Sequence, residues 1–118
     1  NWFEGAYKVR ASKNAAAIAA LELGDAQEKV NLQINQCRYK LGEAYKRLNM
    51  AKKNIESADE NLRCANLGFK EGVMQTTDVM TAQTAWLQAQ TQKIDAEIDV
   101  KLSQVGLKKA LGDLGTEQ

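Results

Sequence analysis

Asp95, Glu97 and Asp99 come closest to a chemical constellation in this chain. Residues 95 and 99 stand four apart, so a helix puts both carboxylates on one face, where a divalent cation or an acid pair could use them. A di-metal bundle site also needs Glu-x-x-His pairs on facing helices, and the chain has no histidine. Without imidazole there is no Ser-His or Cys-His dyad and no histidine zinc site. The three acids read as a solvated helix face, and the expectation is no catalytic residue, no cofactor, no metal and no enzyme. Cys37 and Cys64 are 27 positions apart. On one continuous helix that is roughly 40 Å, far beyond disulfide reach. Cys37 suits a small core residue; Cys64 lies beside the apolar seam as a free thiol unless an oligomer supplies its partner. Lys52-Lys53 and Lys108-Lys109 read as solvated charge. Trp86 falls between two apolar stripes and suits packing between neighbouring helices, with an adaptor or groove contact as the minority reading.

These residues sit on a chain built for helices. It has 118 residues, 44% of them hydrophobic and 26% charged, with no proline and only 6% aromatics. That length bounds one unit, a single domain or a piece of a larger chain. A net charge of +1 makes no electrostatic case for nucleic acid or an anionic membrane surface. The chain opens at Asn1 with no charged n-region and apolar h-region, so it reads as an excised fragment. Its most apolar window, Ala15 to Leu21, is too short for a spanning helix.

Ile34, Cys37, Leu41, Ala44, Leu48, Ala51, Ile55, Ala58, Leu62, Ala65 and Phe69 alternate steps of three and four. That heptad spacing keeps one seam on a partner helix. One seam position carries Ile, Leu and Phe while the other carries Cys and alanines, so large side chains interlock with small ones at close approach. Carried backwards, the register meets Val30, then Gln27, which marks a change of environment. Around residues 66–77 the periodicity fails. Gly68 and Gly72 there suit a C-cap glycine in the left-handed conformation. A second run has one stripe through Met80, Leu87, Ile94, Ile98, Leu102 and Val105 and an adjoining one through Val79, Ala82, Ala89, Ala96, Val100, Leu107 and Ala110. The reading is all-α: a helix over about 6–70, a turn over 71–75 and a helix over about 76–112, one hairpin over 1–118. The second helix covers little more than half of the first and carries apolar material for two neighbours. The uncovered half, rich in alanine near Ala15 to Leu23, then favours self-association.

The run from Ala65 through Gly72 and Asp78 to Gln83 resembles the helix-turn-helix tip of TolC-like outer membrane efflux proteins. In that family an aromatic, two spacers and a Gly precede a small hydroxylated residue and an Asp-Val/Leu-Leu-x-Ala-Gln helix start. The close Leu107-Lys108-Lys109-Ala110-Leu111-Gly112-Asp113-Leu114 is similar to that family's Leu-x-x-Ala-x-Gly-x-Leu. Asn1-Trp2-Phe3-Glu4-Gly5 sits where a Trp/Gly strand exit leads into the long helix. The resemblance implies a trimeric conduit with a β-barrel in the outer membrane and an α-helical barrel in the periplasm. This chain would be the helical hairpin of the second of two similar halves. It also implies an inner-membrane transporter and a periplasmic adaptor as partners, as in tripartite pumps and type I secretion. Phe69, Gly72, Met74, Asp78 and Thr81 would then lie at the periplasmic tip, where coiled-coil pairs shift to open an entrance.

Two departures stand out. Gln75 occupies the family's Ser or Thr N-cap, a poor cap with Thr76 one step later, so the cap is expected to shift by one residue. Met74 and Thr81 stand where some relatives place a basic residue and a second acid, so any gate is less charged. Asp78 has two readings: a capping acid at N3, or one carboxylate of a ring that narrows the entrance. The rival class is a coiled-coil adaptor or scaffold hairpin with no channel of its own.

Overall fold

The computed structural model describes residues 1–116, with side-chain surroundings given through Gly112. Two helices make up the fold: α1, Trp2–Lys70, and α2, Thr76–Thr116. They lie antiparallel in a hairpin of 105 × 19 × 14 Å, and among the described residues there is no strand. The long dimension is that of α1 itself, whose 69 residues at about 1.5 Å each span roughly 100 Å. No proline interrupts either helix, and an isolated glycine costs only about 1 kcal/mol.

Both helices outrun the bounds expected from periodicity. α1 starts at Trp2 instead of residue 6, because the Gly5 N–H closes a first turn on the Asn1 carbonyl at 3.2 Å. α2 continues past residue 112 to Thr116; Gly112 does not adopt positive φ, and without that reversal nothing stops the ladder. The closing motif's Asp113 and Leu114 belong to the α2 backbone, while the end of the 1–118 unit, Glu117 and Gln118, lies outside the described residues.

Where α1 meets α2, small side chains are the buried ones. Ala44, Ala51, Ala58 and Ala65 of α1 and Ala89, Ala96 and Val100 of α2 are buried in the covered interface. Leu41, Leu48, Ile55 and Leu62 stand half-buried at its edges. Alanines lining both helices let the backbones approach closely, and the larger residues close the sides. At the far end of the overlap Val30 and Ile34 pack with Ala110, with Cys37 and Leu107 against them. Before Ala26 nearly every side chain of α1 is exposed. The covered seam thus fades close to Gln27, because α2 has run out of length opposite it.

Candidate functional site: the turn and the open helix faces

The reversal between the helices is built from backbone hydrogen bonds. The Val73 N–H donates to the Gly68 carbonyl at 2.8 Å and the Gly72 N–H to the Phe69 carbonyl at 3.1 Å. This six-to-one and five-to-two pair is a Schellman motif, and it requires the left-handed backbone of Gly72, φ +79°. Glu71 precedes it as C-cap in the right-handed region. The Met74 N–H adds a second bond to the Gly68 carbonyl at 3.0 Å. Gly68 has a separate reason to lack a side chain, since a Cβ there would lie 2.8 Å from Met74 Cγ and 3.0 Å from its Sδ. Met74 folds back over the last turn of α1 and occupies the space a methyl would need.

The start of α2 corrects the expected shift of the cap. Gln75 remains the N-cap residue, its carbonyl accepting from the N–H groups of Asp78 and Val79 at 3.1 and 3.3 Å. The deficiency of its side chain is made up from the other direction. The Gln75 N–H donates to Asp78 Oδ2 at 2.9 Å, the reciprocal half of a capping box, and the carboxylate lies at the positive end of the helix dipole. Asp78 is therefore engaged in capping. Thr81 turns inward on its own helix, donating to the Thr77 carbonyl at 2.9 Å. Phe69 and Val73 are exposed at the tip, so Phe69 lies outside the covered part of the seam.

Polar links tie the helices together further along. The Trp86 indole N–H donates to Asp59 Oδ1, so this half-buried ring is fastened to its hairpin mate. Gln104 donates to the Tyr45 hydroxyl at 2.7 Å, and Arg47 reaches Asp99 at 4.0 Å. Two acids of α2 answer to cations, Asp99 to Arg47 and Glu97 to Lys93 at 3.7 Å. Among the described residues no group of three or more His, Cys, Asp or Glu side chains gathers for a metal ion. Cys37 is half-buried and Cys64 exposed, both free thiols. Glu60 accepts from Arg63 Nε at 2.9 Å, and that bond, with the guanidinium charge, holds its carboxyl below the usual glutamate range.

The two stripes of α2 part company. The one through Val79, Ala82, Ala89, Ala96, Val100 and Ala110 faces α1. The other, Met80, Leu87, Ile94, Ile98, Leu102 and Val105, is 50% to 65% exposed. Periodicity alone could not rank them, since the open stripe is the bulkier and more apolar of the two. The tie between Asp59 and Trp86 carried no signal in the sequence, because their pairing depends on hairpin register.

The geometry defines a class: an elongated two-helix hairpin with one satisfied seam, one open apolar face and a hydrogen-bonded turn at one end. A family model described as outer membrane efflux protein matches residues 1–113, and the chain belongs to that family. Its members are outer membrane transport proteins, not enzymes. No curated protein and no solved structure matches the chain. No helix among the described residues is long and apolar enough to cross a membrane.

Proposed function

We propose that this hairpin is a stave in the periplasmic wall of an outer membrane conduit. The conduit passes substrates delivered by an inner-membrane transporter and a periplasmic adaptor to the exterior. The family match over residues 1–113 carries the reading, and the open apolar face of α2 supports it. A stave in a closed wall needs a neighbour on each side, and this hairpin has satisfied only one of its two apolar surfaces.

In this reading the protein is a trimer whose membrane-spanning strands lie elsewhere in the chain. The tip residues Phe69, Gly72, Met74, Asp78 and Thr81 line or border the periplasmic entrance. The seam from Ile34 to Ala65 keeps each hairpin stiff while neighbouring hairpins move. Asp78 combines capping with a contribution to the charge at the entrance. Fractionating the cell envelope and reading native mass tests the proposal. Recovery in the outer membrane as a detergent-stable trimer is expected; recovery as a soluble or inner-membrane-anchored species would sink it. Asp78→Asn then separates the roles at the tip: a contribution to the entrance lowers cation selectivity, whereas capping alone leaves selectivity and conductance unchanged.

A further inference from the structure

The turn holds an oxidisable side chain in a structural position. Met50 and Met80, the other methionines of the chain, are 64% and 59% exposed. Met74 is 40% exposed, open enough for a small oxidant to reach it, and it lies across buried Gly68. Apart from its own stretch of helix, the three heavy atoms nearest to where a Gly68 side chain would begin are Met74 Cγ, Sδ and Cβ, at 2.8, 3.0 and 3.3 Å. A Schellman motif is commonly sealed by an apolar contact between the two residues that its six-to-one bond joins. Here those residues are Val73 and Gly68, and the glycine has no side chain to offer. Met74 supplies the seal instead.

The surroundings suit a thioether and nothing more polar. Every backbone N–H from Glu71 to Gln75 is already committed: Glu71 to the Leu67 carbonyl, Gly72 to that of Phe69, Val73 and Met74 to that of Gly68, and Gln75 to the Asp78 carboxylate. Oxidation converts the apolar thioether into a polar sulfoxide, whose oxygen needs a donor. Held against Gly68, that oxygen would lack one or would draw one away from the turn, and either outcome is costly. The remaining course is for the side chain to swing into water, which leaves Gly68 and its doubly used carbonyl uncovered.

We propose that Met74 is a modification site for two-electron oxidants such as hydrogen peroxide, and that its sulfoxide loosens the turn. A sulfur lone pair takes one peroxide oxygen, the O–O bond breaks, and the other oxygen leaves with both protons as water. Sulfur loses two electrons and the peroxide gains them. Sulfoxide reductases return the thioether, a dithiol supplying the two electrons, so the change is reversible. The switch belongs to the turn and holds or fails independently of the conduit reading.

The test treats the chain with hydrogen peroxide, locates sulfoxide by peptide mass spectrometry and follows amide exchange across the turn by NMR. A Met74→Leu chain keeps an apolar cover while retaining Met50, Met80 and both cysteines. The expected result is sulfoxide at Met74, with exchange of the Val73 and Met74 amides faster by roughly fivefold or more. Protection should return with methionine sulfoxide reductases, and peroxide should leave the turn of the Met74→Leu chain unchanged. Should that substitution itself disturb the turn, a chain with Met50→Leu and Met80→Leu confines sulfoxide to Met74, and its exchange before and after the reductases decides. Met74 left reduced while Met50 and Met80 are fully converted would overturn the proposal, as would a Met74 sulfoxide with exchange unaltered. Equal loosening in the Met74→Leu chain, or loosening that the reductases leave in place, would also overturn it by assigning the effect to another group.

Discussion

Gly68 and Gly72 lack side chains for different reasons, and substitution separates them. At Gly72 the requirement is conformational, positive φ for the Schellman motif. At Gly68 it is spatial, a methyl against Met74 Cγ at 2.8 Å. Gly68→Ala gains about 1 kcal/mol of helix propensity but costs about 1 to 3 kcal/mol by overpacking, so a net loss is expected in urea unfolding. In a Met74→Ala background the same change should be neutral or stabilising, and a loss as large as before would refute the spatial account. The Glu60 pair gives a pH prediction. A carboxyl whose folded pKa is lowered contributes stability above its unfolded pKa and loses it as pH falls through the folded value. NMR titration should place Glu60 below ordinary glutamates, with Arg63→Gln moving it back up. The stability effect should be small, because the pair is fully exposed and screened by water and salt.

At the scale of the elements, the interface sorts its contacts into repetitive and specific. The alanine seam recurs every seven residues and would accept several registers, whereas Asp59 with Trp86 and Tyr45 with Gln104 fit one. A double-mutant cycle with Asp59→Ala and Trp86→Phe should show a coupling of about 1 kcal/mol, and additive losses would mean that the bond contributes nothing. The division explains what was legible beforehand. Heptad spacing from Ile34 to Ala65 and the missing prolines exposed both helices. The lone glycine pair exposed the turn, because each is a local, repeated signal. The capping reach of Asp78 was one of two local readings open in the sequence, whereas the stripe of α2 that meets α1 and the Asp59 tie were not legible, since each depends on side chains placed by hairpin register or by competition among apolar faces. The inner helix ends at Lys70 and Thr76 fall where expected, while the outer ends run about four residues further, because fading periodicity does not stop a helix unless a breaker or a cap does.

For the whole molecule, the open stripe of α2 and the uncovered start of α1 leave the chain with more apolar surface than an elongated monomer readily keeps in water. Light scattering should show self-association that rises with concentration. Ile98→Gln with Leu102→Gln should reduce it without loss of helicity if α2 forms the contact; unchanged association would move the contact to the uncovered part of α1 around Ala15 to Leu23.

The unequal lengths of α1 and α2 also bear on how the molecule breathes. Only the turn joins the helices, so pairing can propagate like a zipper from Gly68 towards Val30, each step closing a small additional loop. Residues 2 to 25 lie beyond the last tooth and have helix propensity alone to hold them. Amide hydrogens there should exchange with deuterium soonest and those around Ala58 and Ala65 latest. One end of this rod is then stiff and the other supple until something grips it.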